Sequence, residues 1–185
     1  MSARQRPFYR SVADGLLFLI VLTVVLAVAQ RFGGFDFDSR TTHVIDGDSL
    51  RVGATEIRLR GIDAPEFLQT CRDKHGTEYQ CGKQAADVLR QLIGAGNISC
   101  RSFETDRYER SVAVCKNSGL DLNAEMVRLG WAVNYGFSYA QLEGEARRAK
   151  RGIWAGSFEM PQDYRQSKRK MLGNTGDANG AAGQD

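Results

Sequence analysis

From Gly15 to Ala29 the chain reads GLLFLIVLTVVLAVA, an apolar run with one hydroxyl and no charge. Apolar residues on every side exclude an amphipathic surface helix. Fifteen residues rise roughly 22 Å as a helix, short of the ~30 Å hydrocarbon core of a bilayer. Arg4, Arg6 and Arg10 precede the run, and Ala27-Val28-Ala29 places small residues before Gln30. Residues 1–30 are therefore expected to be a cleaved export signal, with an uncleaved signal anchor in the membrane as the alternative. Either one puts the remainder outside the cytoplasm, periplasmic or secreted.

After a polar and aromatic linker at 31–41 the period changes to two. Thr42 to Ile45 is rich in strand formers, Ser49 to Val52 alternates, VGAT turns, and Glu56 to Ile62 alternates again. Ile57 and Leu59 share one face of that strand, Arg58 and Arg60 the other. Pro65 to Gly82 reads as a loop. Lys83 to Gly96 then places Ala86, Val88, Leu89, Leu92 and Ile93 near helical spacing and stops in glycines. Strands at Asn97–Phe103 and Ser111–Cys115 flank ETDRYER, and two helices follow, near Asn123–Gly130 and Tyr139–Arg151. Five strands and three helices predict an α+β domain over 42–160, a five-stranded OB-fold-like Greek-key barrel. Such barrels commonly bind oligonucleotides, although fold alone does not settle function. Residues 161–185 are expected to be a basic and then disordered tail, since Gly173 to Asp185 holds no apolar residue larger than alanine.

At 185 residues and 42% hydrophobic composition the chain has material for one sizeable core. Its formal net charge is +3, but Arg31 to Glu145 carries 14 basic against 17 acidic side chains. A large basic footprint on the domain is thereby excluded, and any contact with nucleic acid must be local. The positive surplus lies in the leader and in Arg147–Lys170, where eight basic residues face Glu159 and Asp163. That run is read as a solvated helix face, with contact to phosphates or an anionic membrane as the alternative.

Cys71, Cys81, Cys100 and Cys115 are an even set, as expected of disulfides in an exported chain. Three pairings exist. The sequential one is favoured because Cys71 with Cys81 closes a short loop and Cys100 with Cys115 brackets a hairpin. A cluster of Cys71, His75 and Cys81 matches none of the common zinc spacings.

The chemistry concentrates in VIDGDSLRVGATEIRLRGIDAPE, Val44 to Glu66. Asp48 and Asp63 end the two arms of one hairpin, so both carboxylates can reach a common point. Carboxylates that close repel unless protonated or bridged by a cation, and hard oxygens suit calcium or magnesium. Arg58 on a strand and Arg110 after a turn present planar forks that grip phosphate bidentately. Glu66, beyond Pro65, is a carboxylate able to take a proton from water. Any of Asp46, Asp48 or Asp63 alone reads as a turn residue, and Arg58 alone as a surface strand residue; together they read as phosphodiester hydrolysis.

IDGDS, IRLRGIDAPE, DRYER and RRAKRGIW, in that order, resemble the thermonuclease (staphylococcal nuclease-like) family, particularly its exported, disulfide-bearing bacterial members. The likeness covers Thr42 to Phe158. It implies a calcium-dependent endonuclease acting on single-stranded DNA, duplex DNA or RNA and leaving 3′-phosphate ends. By position it implies Asp48 and Asp63 as calcium ligands, Glu66 as general base, and Arg58 and Arg110 as stabilisers of the pentacoordinate phosphate. Tyr108 would lie near the bound nucleotide, and Asp46 would act on the site from behind or through water. Ala64 stands where some members have threonine. Glu109 replaces the usual glycine between Tyr108 and Arg110, at a strain of about 1 kcal/mol or more if the turn needs positive φ. A monomer is expected. Trp131, Trp154 and Phe137 are expected in the core, Tyr135 and Tyr139 either in the core or at the nucleotide, and His43 and His75 on the surface. The competing function is a barrel that binds nucleic acid or another polyanion without cutting it, or an accessory to envelope exopolysaccharide production.

Overall fold

The structure is a computed structural model that describes residues 8–32, 35–39 and 42–180, with side chains for 14–26 and 42–172. The chain divides into two units, Met1–Phe35 and Asp36–Asp185.

The first unit is helix α1, Phe8–Phe32. Its apolar side chains from Leu16 to Leu26 are exposed. Among the described residues no helix is long and apolar enough to cross a membrane. The proposed cleavage site at Ala27–Gln30 lies outside the described side chains.

The second unit is built on a mixed sheet. In chain order its elements are β1 (Phe35–Ser39), β2 (Thr42–Val44), β3 (Ser49–Val52), β4 (Thr55–Leu59), β5 (Ile62–Asp63), β6 (Cys71–Arg72), β7 (Glu78–Tyr79) and α2 (Cys81–Ile93). There follow β8 (Ile98–Thr105), β9 (Ser111–Asn117), β10 (Leu120–Asp121), α3 (Leu122–Arg128), β11 (Val133–Asn134), α4 (Ala140–Arg148), a short 3₁₀ turn at Gly152–Ala155, and α5 (Pro161–Gly180). The main sheet runs β1-β8-β9-β4-β3-β2, with β10 beside β9. β4 lies parallel to β9, whereas β2, β3 and β4, like β8 and β9, pair antiparallel. This α+β arrangement agrees with an OB-like fold.

The alternation seen in the sequence decides the faces. Leu50, Ile57, Leu59, Ile98 and Ala113 point inward from the sheet, and Ala85, Ala86, Leu89 and Ile93 of α2 meet them with Leu122, Met126 and Val127 of α3. The apolar stripe of α2 matches one helix face, and the helix ends where Gly94 at φ 53° returns its N–H to the Arg90 carbonyl.

Four expectations are corrected. The strand expected at Glu56–Ile62 is two, because the chain turns at Arg60–Gly61 and Ile62–Asp63 leaves the main sheet to pair with β11. The linker at 31–41 contains β1, whose alternating phenylalanines and aspartates suit an edge strand. The loop Pro65–Gly82 contains a small hairpin, β6–β7, closed by the Cys71–Cys81 disulfide. Of the tail expected to be basic and then disordered at 161–185, residues 161–180 form α5, whose backbone stays helical into the glycine-rich stretch as far as Gly180, and 181–185 lie outside the described residues. Proline at its first position suits the helical φ, and extending a helix costs less than starting one.

Both disulfides follow the sequential pairing, and Cys100–Cys115 joins directly opposed residues of β8 and β9. Two glycines permit the approaches that shape the site. A Cβ on Gly47 would lie 2.7 Å from the Ala64 Cβ and 2.8 Å from the Ala85 Cβ. A Cβ on Gly82 would overlap the Glu66 carbonyl oxygen. The glycine of the Asp-Gly-Asp turn thus lets it sit against the Ala64 segment, and Gly82 lets α2 touch the Glu66 loop.

Candidate active site

The β3–β4 register places Ser49 opposite Arg58, so Asp48, just before β3, meets the Arg58 side chain. The Leu59 N–H donates to the Asp48 carbonyl at 2.7 Å and closes that end of the hairpin. β5 carries Asp63 back to the same point. Arg58 Nη2 lies 3.1 Å from Asp48 Oδ2 and 3.0 Å from Asp63 Oδ1. Both carboxylates are about 4% exposed. Burial works against the Arg58 charge, but Asp48 and Asp63 outweigh it and raise its pKa above the ordinary value.

Asp48 is held from all sides: the Ser49 hydroxyl donates to Oδ1 at 2.9 Å, and the Ala64 N–H donates to Oδ2 at 3.1 Å. The Ala64 contact uses only the backbone N–H, so it asks nothing of the side chain at that position. Asp46 Oδ1 accepts the Asp48 N–H at 3.0 Å, and Asp46 borders the open cavity. Its carboxyl is pushed up to about 7, first by burial and then by the Asp48 charge.

Glu66 sits on a loop fixed by a residue that no motif or spacing had singled out. Gln69 is fully buried, and its Oε1 accepts the Glu66 N–H at 3.2 Å. Its Nε2 donates to the Glu159 carbonyl at 2.7 Å, tying the loop to the segment before α5. From α5, Arg165 reaches back to the carboxylates. Its Nη1 donates to Asp63 Oδ1 at 2.9 Å and Glu66 Oε1 at 2.8 Å, and its Nη2 to Asp63 Oδ2 at 2.9 Å. The bond to Asp63 is the foremost reason that its pKa is raised. The basic run expected to be a solvated face therefore sends one arginine into the site.

Arg110 borders the same cavity, which has a volume of about 1030 Å³ and also takes in Arg58, Asp63 and Glu66. Its guanidinium is gripped by Asp106 at 2.9 and 2.7 Å, and Asp106 also accepts the backbone N–H groups of Tyr108 and Arg110. Burial opposes the Asp106 charge, but these bonds to Arg110 and Tyr108 prevail and hold its pKa below the ordinary value. Tyr108 borders the cavity exposed, with the Arg107 and Arg110 guanidiniums 5.0 and 5.3 Å from its ring centre. Phe137, expected in the core, is 96% exposed on the cavity rim beside exposed Tyr135, because it lies in the turn between β11 and α4. Tyr139, Trp131 and Trp154 pack against the core clusters. His43 and His75 are exposed.

Glu109 has φ 63°, the left-handed conformation in which a glycine would carry no strain. Glu109→Gly should stabilise the protein by about 1 kcal/mol, measured as a higher urea midpoint at unchanged slope. It should also remove a negative charge next to Arg110.

Four carboxylates thus gather near the guanidiniums of Arg58 and Arg165, and the Asp48 charge adds to burial in raising the Asp46 pKa. Among the described residues no group of three or more His, Cys, Asp or Glu side chains is arranged to hold a metal ion. The donor set still suits a hard divalent cation in oxygen chemistry and charge, with Asp46 and Asp63 on the open side and Asp48 behind. Arg165 donates to both oxygens of Asp63 and would compete there with such an ion. With the Asp46 pKa raised in the folded state, its stabilising effect is complete below the unfolded pKa and disappears as pH rises through about 7. In chelator, Asp46→Asn should therefore gain stability relative to the unsubstituted protein between pH 5 and pH 8. After allowance for solvent screening the gain is on the order of 1 kcal/mol, read from paired denaturant titrations.

The family model described as staphylococcal nuclease homologue matches residues 56–156. The chain is 36% identical over 118 residues to the succinoglycan biosynthesis protein ExoI of Rhizobium meliloti (strain 1021), covering 60% of this chain and 61% of that one. It is 32% identical over 136 residues to an uncharacterized endonuclease of Escherichia coli O157:H7, covering 68% and 82%. To endonuclease YhcR of Bacillus subtilis (strain 168) it is 29% identical over 153 residues, covering 70% of this chain but 13% of that protein. The matched residues hold Arg58, Asp63, Glu66 and Arg110, which the fold brings to one cavity, and the chain belongs to the staphylococcal nuclease homologue family, a family of nuclease-type hydrolases.

Proposed function

We propose that the protein is an extracytoplasmic, calcium-dependent endonuclease that hydrolyses phosphodiester bonds of DNA and RNA. The observation that carries this reading is the convergence of Asp46, Asp63, Glu66, Arg58 and Arg110 on one cavity. Family membership and the printed names of its endonuclease relatives support it.

In this reading Glu66 accepts a proton from a water in line with the scissile P–O5′ bond. The water oxygen bonds to phosphorus as the P–O5′ bond breaks, the 5′-oxygen leaves with the bonding pair and takes a proton from solvent, and the 3′-phosphate remains. Arg58 and Arg110 border the cavity with planar forks suited to the charge that grows on the phosphoryl oxygens. Asp106 holds the Arg110 fork in one orientation, so less rotamer freedom is lost when phosphate arrives. Asp48 and Asp63, with Asp46, would hold the calcium, which supplies charge neutralisation and polarisation of the phosphate. Two disulfides and the apolar N-terminal run support export.

A second reading follows from the likeness to a succinoglycan biosynthesis protein: an accessory in envelope polysaccharide production whose site binds polyanion without hydrolysis. Incubating the oxidised protein with single-stranded DNA, duplex DNA and RNA separates the two. Cleavage with calcium, and none with a calcium chelator, is the expected result. Binding without cleavage under all conditions would leave the second reading.

A further inference from the structure

We propose that one face of α5, formed by Gln162, Arg165, Gln166 and Arg169, is a second contact surface for a nucleic-acid strand, continuous with the cleavage site. The proposal rests on the nuclease reading and extends the substrate footprint beyond the reacting phosphate.

These residues stand at i, i+3, i+4 and i+7, the spacing that places side chains on one stripe of a helix. All four border the cavity that contains Arg58 and Glu66. The stripe contains no apolar side chain, so it does not face the cavity in order to bury hydrophobic surface. The helix is anchored at its start, where Pro161 is buried, Ser167 donates to Glu159 and Gln69 holds the Glu159 carbonyl. The stripe is therefore held over the cavity by its own fixed end.

A single strand fits this surface in charge and shape. Residues 31–145 are net negative, so the two arginines add local positive charge where the domain has little to spare. Arg165 and Arg169 stand one turn, ~6 Å, apart along the helix, and both can lie along one phosphate backbone. On the same cavity, exposed Tyr135 and Phe137 offer ring faces on which unpaired bases stack. Glutamines at 162 and 166 can donate to phosphate or sugar without fixing sequence. In the free protein Arg165 holds Asp63 and Glu66. Once those carboxylates are neutralised, the same guanidinium is available to a phosphate at the entrance.

The test measures binding of a fluorescein-labelled 12-residue oligothymidylate to the full chain carrying Glu66→Gln, in calcium, across a salt series. Each phosphate contact to a single strand contributes about 0.7 to the slope of log K against log salt. Arg169→Gln should lower the slope by about 0.7, and Arg165→Gln with Arg169→Gln by about 1.4. Lys168→Gln with Lys170→Gln removes the same charge from residues that do not border the cavity and should leave the slope unchanged. An unchanged slope in the arginine variants, an equal fall in the lysine pair, or no binding of the oligonucleotide overturns the proposal. The Arg169 variant leaves the ion pairs of Arg165 in place, so it reports on the surface even if loss of Arg165 loosens the fold. If the expected slopes appear but the unsubstituted chain does not cut, the strand surface stands and hydrolysis falls. If the chain cuts and the slopes do not move, hydrolysis stands and the surface falls.

Discussion

Glu66→Gln should lower kcat on single-stranded DNA by about 10²–10⁴-fold, the range for loss of a general base, while leaving KM and the fold nearly unchanged. The reason for expecting so clean a separation is geometric. The loop is fixed through the Glu66 backbone N–H, which donates to Gln69, and through the Gln69 N–H, which donates to the Glu66 carbonyl at 2.7 Å. Neither bond uses the carboxylate. Gln keeps the shape and an oxygen for Arg165 but cannot hold the proton. Equal melting temperatures within a few degrees, with kcat reduced and oligonucleotide binding retained, would establish the assignment. A variant that cuts at the unsubstituted rate would remove Glu66 from the mechanism.

Arg58→Ala should have the largest effect on stability, roughly 3 kcal/mol, because it leaves buried Asp48 without its cation and buried Asp63 with Arg165 alone. Arg58 Nη2 bridges Asp48 and Asp63, both almost wholly shielded from water. The part of Arg58 that remains solvent-exposed, 24% of its side chain, sets the estimate toward the lower end of the range for broken buried pairs. Activity should fall below detection in the same variant. The two effects can be told apart by urea denaturation with chelator and again with calcium. A divalent cation that binds the vacated carboxylates should restore part of the stability, but not the cleavage that needs the fork. A variant as stable as the unsubstituted protein in chelator would show that Arg58 is not the charge that permits Asp48 and Asp63 to be buried together. Its substitution by lysine should recover little of either property, since an ammonium cannot reproduce the planar fork.

Much of the fold was legible in the chain because it rests on local rules. Alternation at Ile57 and Leu59, the apolar stripe of Lys83–Gly96 and the glycines after it placed the sheet and α2 within a few residues. The sequential disulfides followed from short loops. The break after β4 carried only a faint signal, Gly61 on the apolar parity and Ile62 on that of Arg58 and Arg60, and it is pairing with β11 that draws Ile62–Asp63 out of the main sheet. Phe137 read as a core residue by type, and its place in an exposed turn was set by how β11 and α4 are joined.

The site divides in the same way. Asp48, Arg58, Asp63 and Glu66 fall within one hairpin and its exit loop, and Arg110 within one turn, so residue type and placement point to them jointly, whereas Asp46 came from the family resemblance. Asp106 carried a weak signal, an aspartate at the head of a turn, without showing that it would grip the Arg110 fork. Gln69 carried none, because a glutamine in a loop is ordinary until it is buried.

Local rules along the chain were enough for the residue types of the chemistry, the strand hairpin that presents them, and the cysteines that fasten the loops. Only the tertiary structure decided that Arg165 lies on Asp63, 102 residues earlier in the chain, and that α5 forms a wall of the cavity instead of a tail. The physical reason is range. Periodicity and turn chemistry act over a few residues, whereas a buried carboxylate selects its cation from whatever the packed fold brings near.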